Sequence, residues 1–289
     1  MTAEPTYNKH IASLAAIFIL GDAVIVLPTS DSGDYPLLGF IAGAIAAVLL
    51  YFASLLITNR LIEKSPLLIF AAAYAFYNAG ISFIRYTDFA DKILLPETSK
   101  FLIAAVFIIA AVYLAARRQE VILKLSLISV VIAVIAILLF FLLSLKDFKA
   151  ENITLQNLPN FNGIIKSIKP YFINIALPAL LIPVYSRLFA DEKRVYATFS
   201  GLVTGLLLTS LCLLESLLLF GAPFAEKLYF PLAAAVSTVT VGSLFTRMDG
   251  IVYCLFFVTA LIKTAVCMKL AFVALSRGQP QILPFKLHK

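Results

Sequence analysis

Apolar residues run through this chain in long blocks, without the alternation of a half-buried strand or the single stripe of a surface helix. Eight blocks stand out: Ile11–Leu27, Pro36–Ile57, Ser65–Ile84, Phe101–Ala116, Val121–Leu145, Tyr171–Phe189, Tyr196–Phe220 and Ile251–Leu275. Crossing hydrocarbon takes about 20 mostly apolar residues in a helix, so the pattern predicts eight spanning helices joined by short polar connections. A further piece, Phe230 to Thr240 with Pro231 at its start, is too short to span and predicts an interfacial or re-entrant segment. Nothing after Leu27 resembles a small-residue cleavage site, so the first block is expected to remain as a helix.

Composition turns this pattern into a class. The 289 residues are 62% hydrophobic and 13% charged, with mean hydropathy +0.99, the make-up of an all-α polytopic membrane protein rather than a soluble domain. The net charge of +7 does not point to nucleic acid, because the basic residues are scattered singly or in pairs and form no stripe. They read as topology signals. A cytoplasmic N-terminus places twelve of them inside, from Lys9 through Arg60, Arg117 and Arg187 to Lys289, against nine outside. The connection Lys146 to Lys169 then falls outside, where it is expected to form a small structure. Its Asn152-Ile153-Thr154 triplet is weak evidence of glycosylation. Cys212, Cys254 and Cys267 all lie within apolar blocks without metal-ligand spacing, and are expected to be packing residues.

Polar groups inside the blocks carry the candidate chemistry. Lys263 lies near the middle of the last one, where an ammonium costs about 3 kcal/mol or more and marks an ion or substrate pathway. Lys269, nearer the end, is expected to snorkel. Asp22 and Glu215 are the carboxylates well inside blocks. An Asp22–Lys263 pair would neutralise two costly groups, while Glu215 lies within snorkelling reach of an interface; all three are candidates for an ion site or proton coupling. The first block is interrupted at Gly21-Asp22 and the sixth at Pro178 and Pro183. Breaks at corresponding points of two halves point to a binding site in inverted-repeat transporters, and kinked helices are the plainer alternative. Tyr74, Tyr77 and Asn78 share one face of the third helix, and with Asn174 they either bind a small amphipathic ligand or hold helices together. Gly201 and Gly205 form a GxxxG pair expected at a close helix contact. Thr259 and Thr264 flank Lys263 and either solvate its head group or bond back to their own helix. No Ser/His, paired-Asp or HExxH arrangement lies inside a helix, so no catalytic residue, metal or cofactor is expected.

Three stretches carry a family resemblance: Ile93-Leu94-Leu95-Pro96-Glu97-Thr98, the proline-broken sixth block with its basic turn, and Phe245-Thr246-Arg247-Met248-Asp249 leading to Lys263. Together, from Ile11 to Gly278, they resemble the spore germination permeases, the B subunits of nutrient germinant receptors in the amino acid–polyamine–organocation superfamily. The resemblance implies a LeuT-like inverted-repeat bundle in the spore inner membrane, truncated here from ten helices to about eight. It also implies recognition of an amino acid or similar nutrient, and assembly with receptor A and C subunits. Carried over residue by residue, it puts Gly21 and Lys263 at the core, with Lys263 standing in for a bridging sodium ion. It gives Pro96, Glu97, Arg247 and Asp249 structural roles, the last two as a cap of the final helix. A proton-coupled amino acid transporter or ion-conducting subunit is the alternative, separated by whether reconstituted protein moves labelled substrate or ions.

Overall fold

Within lipid a backbone N–H or C=O has no water to bond, so an apolar run of membrane length satisfies itself as a helix. The computed structural model describes residues 4–23, 35–61, 65–153, 161–189, 195–238 and 249–278; among these there are helices and turns but no strand. The chain begins with α1 (Glu4–Ala23), α2 (Pro36–Leu61) and α3 (Ser65–Phe89), the last extended by a π-helical turn, Ala90–Leu94. Next come α4 (Lys100–Ala116) and α5 (Gln119–Ser144). Two 3₁₀ turns, Leu145–Asp147 and Ala150–Ile153, precede α6, an interrupted helix over Phe161–Phe189. After α7 (Val195–Phe220), Gly221 at φ 73° ends the helix in a backbone region suited to glycine. A single helical turn, Ala222–Ala225, is followed by α8 (Pro231–Thr238) and α9 (Asp249–Gly278).

Six of the described helices are long and apolar enough to cross a membrane: α2, α3 with its π turn, α5, α6, α7 and α9. α4 is shorter, at 17 residues. Large apolar side chains face outward along whole helices, as with Ile41, Ile45, Leu49, Phe52 and Leu56 on α2, a surface suited to acyl chains rather than water. The protein is an all-α polytopic membrane protein. The most apolar windows of α6, α7 and α9 are 50–61% buried, against 28–33% for α2, α3 and α5, so the first three form the interior.

Small residues set how closely the interior helices approach. A Cβ on Gly201 would lie 2.1 Å from the Ala12 carbonyl oxygen, and one on Gly205 would lie 2.8 Å from that of Ala16, so α7 lies backbone to backbone against α1. On α2, Gly39 and Gly43 do the same against α6, where added Cβ atoms would lie 2.2 Å from the Ser167 carbonyl oxygen and 2.6 Å from Tyr171 Cβ. The most extensive pairing is α3 with α9, and α9 also packs on α1, α4 and α5. Hydroxyls buried in these contacts mostly bond back to the carbonyl four residues earlier, as Ser126, Ser167, Thr209 and Ser216 do.

Several boundaries differ from the sequence pattern, for identifiable reasons. The third helix does not stop at Ile84, because its next charges are paired: Arg85 with Asn174, and Asp88 with Lys100. The sixth begins at Phe161 rather than Tyr171, since Lys166 pairs with Glu226 at 3.6 Å and Ser167 bonds within the helix. The connection after α5 is held to the end of α7, whose Leu218 carbonyl accepts from the Lys149 amide at 3.1 Å and the Asn152 side chain at 2.8 Å. Lys269 does not snorkel. It is buried, and its ammonium donates to the Arg117 carbonyl at the C-terminal end of α4, where that oxygen has no helical partner. Cys212 and Cys267 are buried as expected, whereas Cys254 is exposed on α9.

Candidate functional site

Proline removes the amide that would close a helical turn four residues back, and α6 contains three: Pro170, Pro178 and Pro183. Regular helix Phe161–Tyr171 widens into a π segment, Phe172–Ala176, then a short turn Leu177–Ala179, before helix resumes as Leu181–Phe189. Such π segments frequently mark functional sites. Ser54 of α2 donates to the Leu180 carbonyl at 2.7 Å, so part of the disturbed backbone is bonded across helices. Asn174 sits inside the π segment and Pro178 in the turn that follows it.

Against this interruption lies one face of α3, and between them is a cavity of about 170 Å³. From α3 it is lined by Tyr74, Tyr77, Asn78, Ile81 and Arg85. From α6 come Ile173, Asn174, Leu177 and Pro178. The rings of Tyr74 and Tyr77 stack with centroids 6.3 Å apart, and the Asn78 amide donates to the Tyr74 carbonyl at 3.0 Å. Arg85 donates to the Asn174 side-chain oxygen and so ties the two walls together. Five residues singled out from the sequence, Tyr74, Tyr77, Asn78, Asn174 and Pro178, thus meet in one place.

Arg85 was not among them. It stands beyond the last residue of the third apolar block, where a charge reads as the start of a loop. Its spacing was a usable signal, since Tyr74, Asn78, Ile81 and Arg85 fall at i, i+4, i+7 and i+11, one helical face.

Lys263 is buried at 1% exposure on α9. It crosses α1 at Gly21, where an added Cβ would lie 3.2 Å from Lys263 Cβ, Lys263 Cδ and the Thr259 carbonyl oxygen alike. Its ammonium lies 5.5 Å from the centre of the Phe18 ring, one turn earlier on α1, within the range of a cation–π contact. α1 in turn touches the π segment and the Leu177–Ala179 turn of α6.

The interruption expected at Gly21-Asp22 is not present, because α-helix continues through both residues to Ala23. Gly21 serves close approach rather than unwinding. The Asp22 side chain lies outside the described residues, and with it the expected pair to Lys263. Thr259 bonds back to the Phe256 carbonyl at 3.1 Å, while the Thr264 hydroxyl has no hydrogen-bond partner among the described residues.

Glu215 does not snorkel. At 1% exposure it accepts a hydrogen bond from Ser144 of α5 at 3.0 Å, in an apolar crevice that includes Phe140, Cys212, Val252 and Phe256. Phe256 is seven residues from Lys263 on α9, roughly 10 Å along the axis, so Glu215 belongs to a separate place. Pro96 and Glu97 are exposed in the turn before α4, clear of the cavity. Asp249 is the first residue of α9; its side chain and all of Arg247 lie outside the described residues.

Among the described residues, a bundle of membrane helices with an interrupted member and a cavity carrying polar side chains beside the interruption is the architecture of a permease-like protein. Comparison with protein families agrees with that class and narrows it. The model for the spore germination protein family, the spore permeases, matches residues 8–289, and the chain belongs to this family. Comparison with individually curated proteins gives no match.

Proposed function

We propose that this protein is the membrane subunit of a nutrient germinant receptor, and that it binds a small nutrient such as an amino acid in the cavity between α3 and α6. The observation that carries the proposal is the meeting of Tyr74, Tyr77, Asn78 and Asn174 at the interruption of α6. A cavity of about 170 Å³ is on the scale of the cavity of about 150 Å³ that admits benzene, a volume that suits a small amino acid. Binding there would bias two arrangements of the interrupted helix, and receptor A and C subunits would read the change. In this proposal the protein lies in the spore inner membrane with its N-terminus in the cytoplasm, and no bond is made or broken in the ligand.

A transporter or ion-conducting role draws on the interior burial of Lys263 and Glu215, and flux of labelled amino acid or ions in reconstituted vesicles separates it from a receptor. The binding claim is checked by thermal unfolding of the purified protein against single amino acids, since a ligand that prefers the folded state raises the midpoint. At least one amino acid is expected to raise it, and Tyr77→Ala to remove the rise. No rise with any of them, or an undiminished rise in Tyr77→Ala, contradicts the proposal.

A further inference from the structure

We infer that Glu215 is a proton-binding site of the bundle, held as the neutral carboxylic acid while α8 covers it. The inference is independent of the cavity between α3 and α6 and of any ligand there. Glu215 is 1% exposed, in a crevice lined by Ile137 and Phe140 of α5, Leu232 and Val236 of α8, and Val252 and Phe256 of α9. The free space beside it is about 10 Å³, at the lower limit for a single water, so the crevice has no room for the hydration shell of a carboxylate. Ser144 of α5, itself buried, donates to one carboxyl oxygen at 3.0 Å. Ser126, Ser129 and Ser216 on the same two helices bond back to backbone carbonyls, whereas Ser144 turns to the carboxyl.

None of the described residues lining the crevice is Lys, Arg or His, and a buried carboxylate without a cation neutralises itself by taking a proton. On α7 the crevice includes the Cys212 thiol, and α8 has no ionisable residue. On α9, Tyr253 sets its hydroxyl 3.5 Å from the Ala233 carbonyl oxygen, and Lys263 stands two turns beyond Phe256. α1, which also packs on α7, carries Asp22, whose side chain lies outside the described residues. Lys146, Asp147, Lys149 and Glu151 in the connection after α5 are exposed, and Glu226 beyond α7 pairs with Lys166. A metal cation fits less well than a proton, because hard cations take about six oxygen ligands and the described side chains here offer oxygens only from Glu215 and Ser144. The cover is α8, eight residues or about 12 Å long, packed on α7 and α9. Lifting it opens the carboxyl to water, where the proton leaves, and closing it takes the proton back. The C-terminal end of α7 is five residues away, roughly 8 Å, so exchange is with that face of the membrane.

The test follows the full chain in detergent by infrared spectroscopy and thermal unfolding. At neutral pH the wild type is expected to show the C=O stretch of a protonated carboxylic acid that is missing from Glu215→Gln. The same band is expected to shift in Ser144→Ala, which removes the hydrogen bond and leaves the carboxyl in place. A proton kept in the folded state and lost on unfolding lowers the folding equilibrium by up to about tenfold per pH unit as pH rises above the ordinary carboxylate range. The wild-type midpoint is therefore expected to fall with rising pH relative to Glu215→Gln, whose amide does not titrate, and the two to converge in acid. An acid band that is absent from wild type or persists in Glu215→Gln overturns the inference, as does a midpoint difference that is constant with pH. A Glu215→Gln chain that folds at no pH overturns it too, since a neutral side chain would then be unable to stand there. Stabilisation of wild type, but not of Glu215→Gln, by sodium in place of choline at fixed ionic strength would assign the site to a metal cation instead.

Discussion

Lys263→Met is expected to stay folded and to lose ligand-induced stabilisation, whereas Lys263→Ala is expected to lose both. The lysine stem fills the crossing of α9 and α1 beside Gly21, and methionine replaces much of that volume without the charge. Swaps that conserve volume cost less than about 1.5 kcal/mol, so methionine keeps the crossing packed. Alanine leaves a hole, at about 2–5 kcal/mol for a side chain of this size. The charge itself holds α1 through the Phe18 ring, and α1 touches the segment of α6 that carries Asn174 and Pro178. A functional role for the charge therefore predicts a stable but unresponsive Lys263→Met. A variant that responds to ligand like wild type would reduce Lys263 to a packing residue.

The second large effect is expected at Gly201. Alanine there puts a Cβ 2.1 Å from the Ala12 carbonyl oxygen and 2.8 Å from both Ala12 C and Ala15 Cβ. Two of those three atoms are backbone, which cannot rotate aside, so α1 and α7 must separate. Overpacking costs about 1–3 kcal/mol where side chains can give way, and this site is expected at or above the upper end. Gly80→Ala is the matched control, because nothing lies within 4 Å of its added Cβ; helix propensity there favours alanine by up to about 1 kcal/mol. Thermal midpoints in detergent check the pair: a marked fall for Gly201→Ala and none for Gly80→Ala. An unchanged Gly201→Ala would mean that α1 and α7 are not in backbone contact.

The hydrophobic blocks made the helical membrane class legible, because lipid leaves an apolar run of that length little choice but helix. The cavity was partly legible for two different reasons. Tyr74, Tyr77 and Asn78 announce themselves by helical spacing, and Asn174 by its place beside the prolines that disturb α6. Rotation and partners were not legible. Glu215 and Lys269 looked like residues able to reach an interface, yet Ser144 and the Arg117 carbonyl, far away in sequence, hold both inside. Arg85 was not legible, because a charge at the edge of an apolar block looks like the end of a helix until its contact on α6 is known. Gly21 shows the same ambiguity in reverse: glycine in a membrane helix permits either unwinding or close approach, and only the facing residue, Lys263, decides between them. The Gly39/Gly43 pair carries the same spacing as Gly201/Gly205, and its partners, Ser167 and Tyr171, are not visible from spacing alone.

The central claim is that a small nutrient occupies the cavity between α3 and α6, and protection of a thiol placed there tests it most directly. Ile81→Cys puts a reactive group on the cavity wall, and the exposed native Cys254 on α9 serves as an internal reference in the same molecule. With single amino acids present at saturating concentration, at least one is expected to slow maleimide labelling of the thiol in Ile81→Cys by about tenfold or more, as occupancy near saturation requires, while Cys254 reacts at its unliganded rate. Labelling of the cavity thiol that no amino acid slows, or slowing shared equally by Cys254, would contradict the claim.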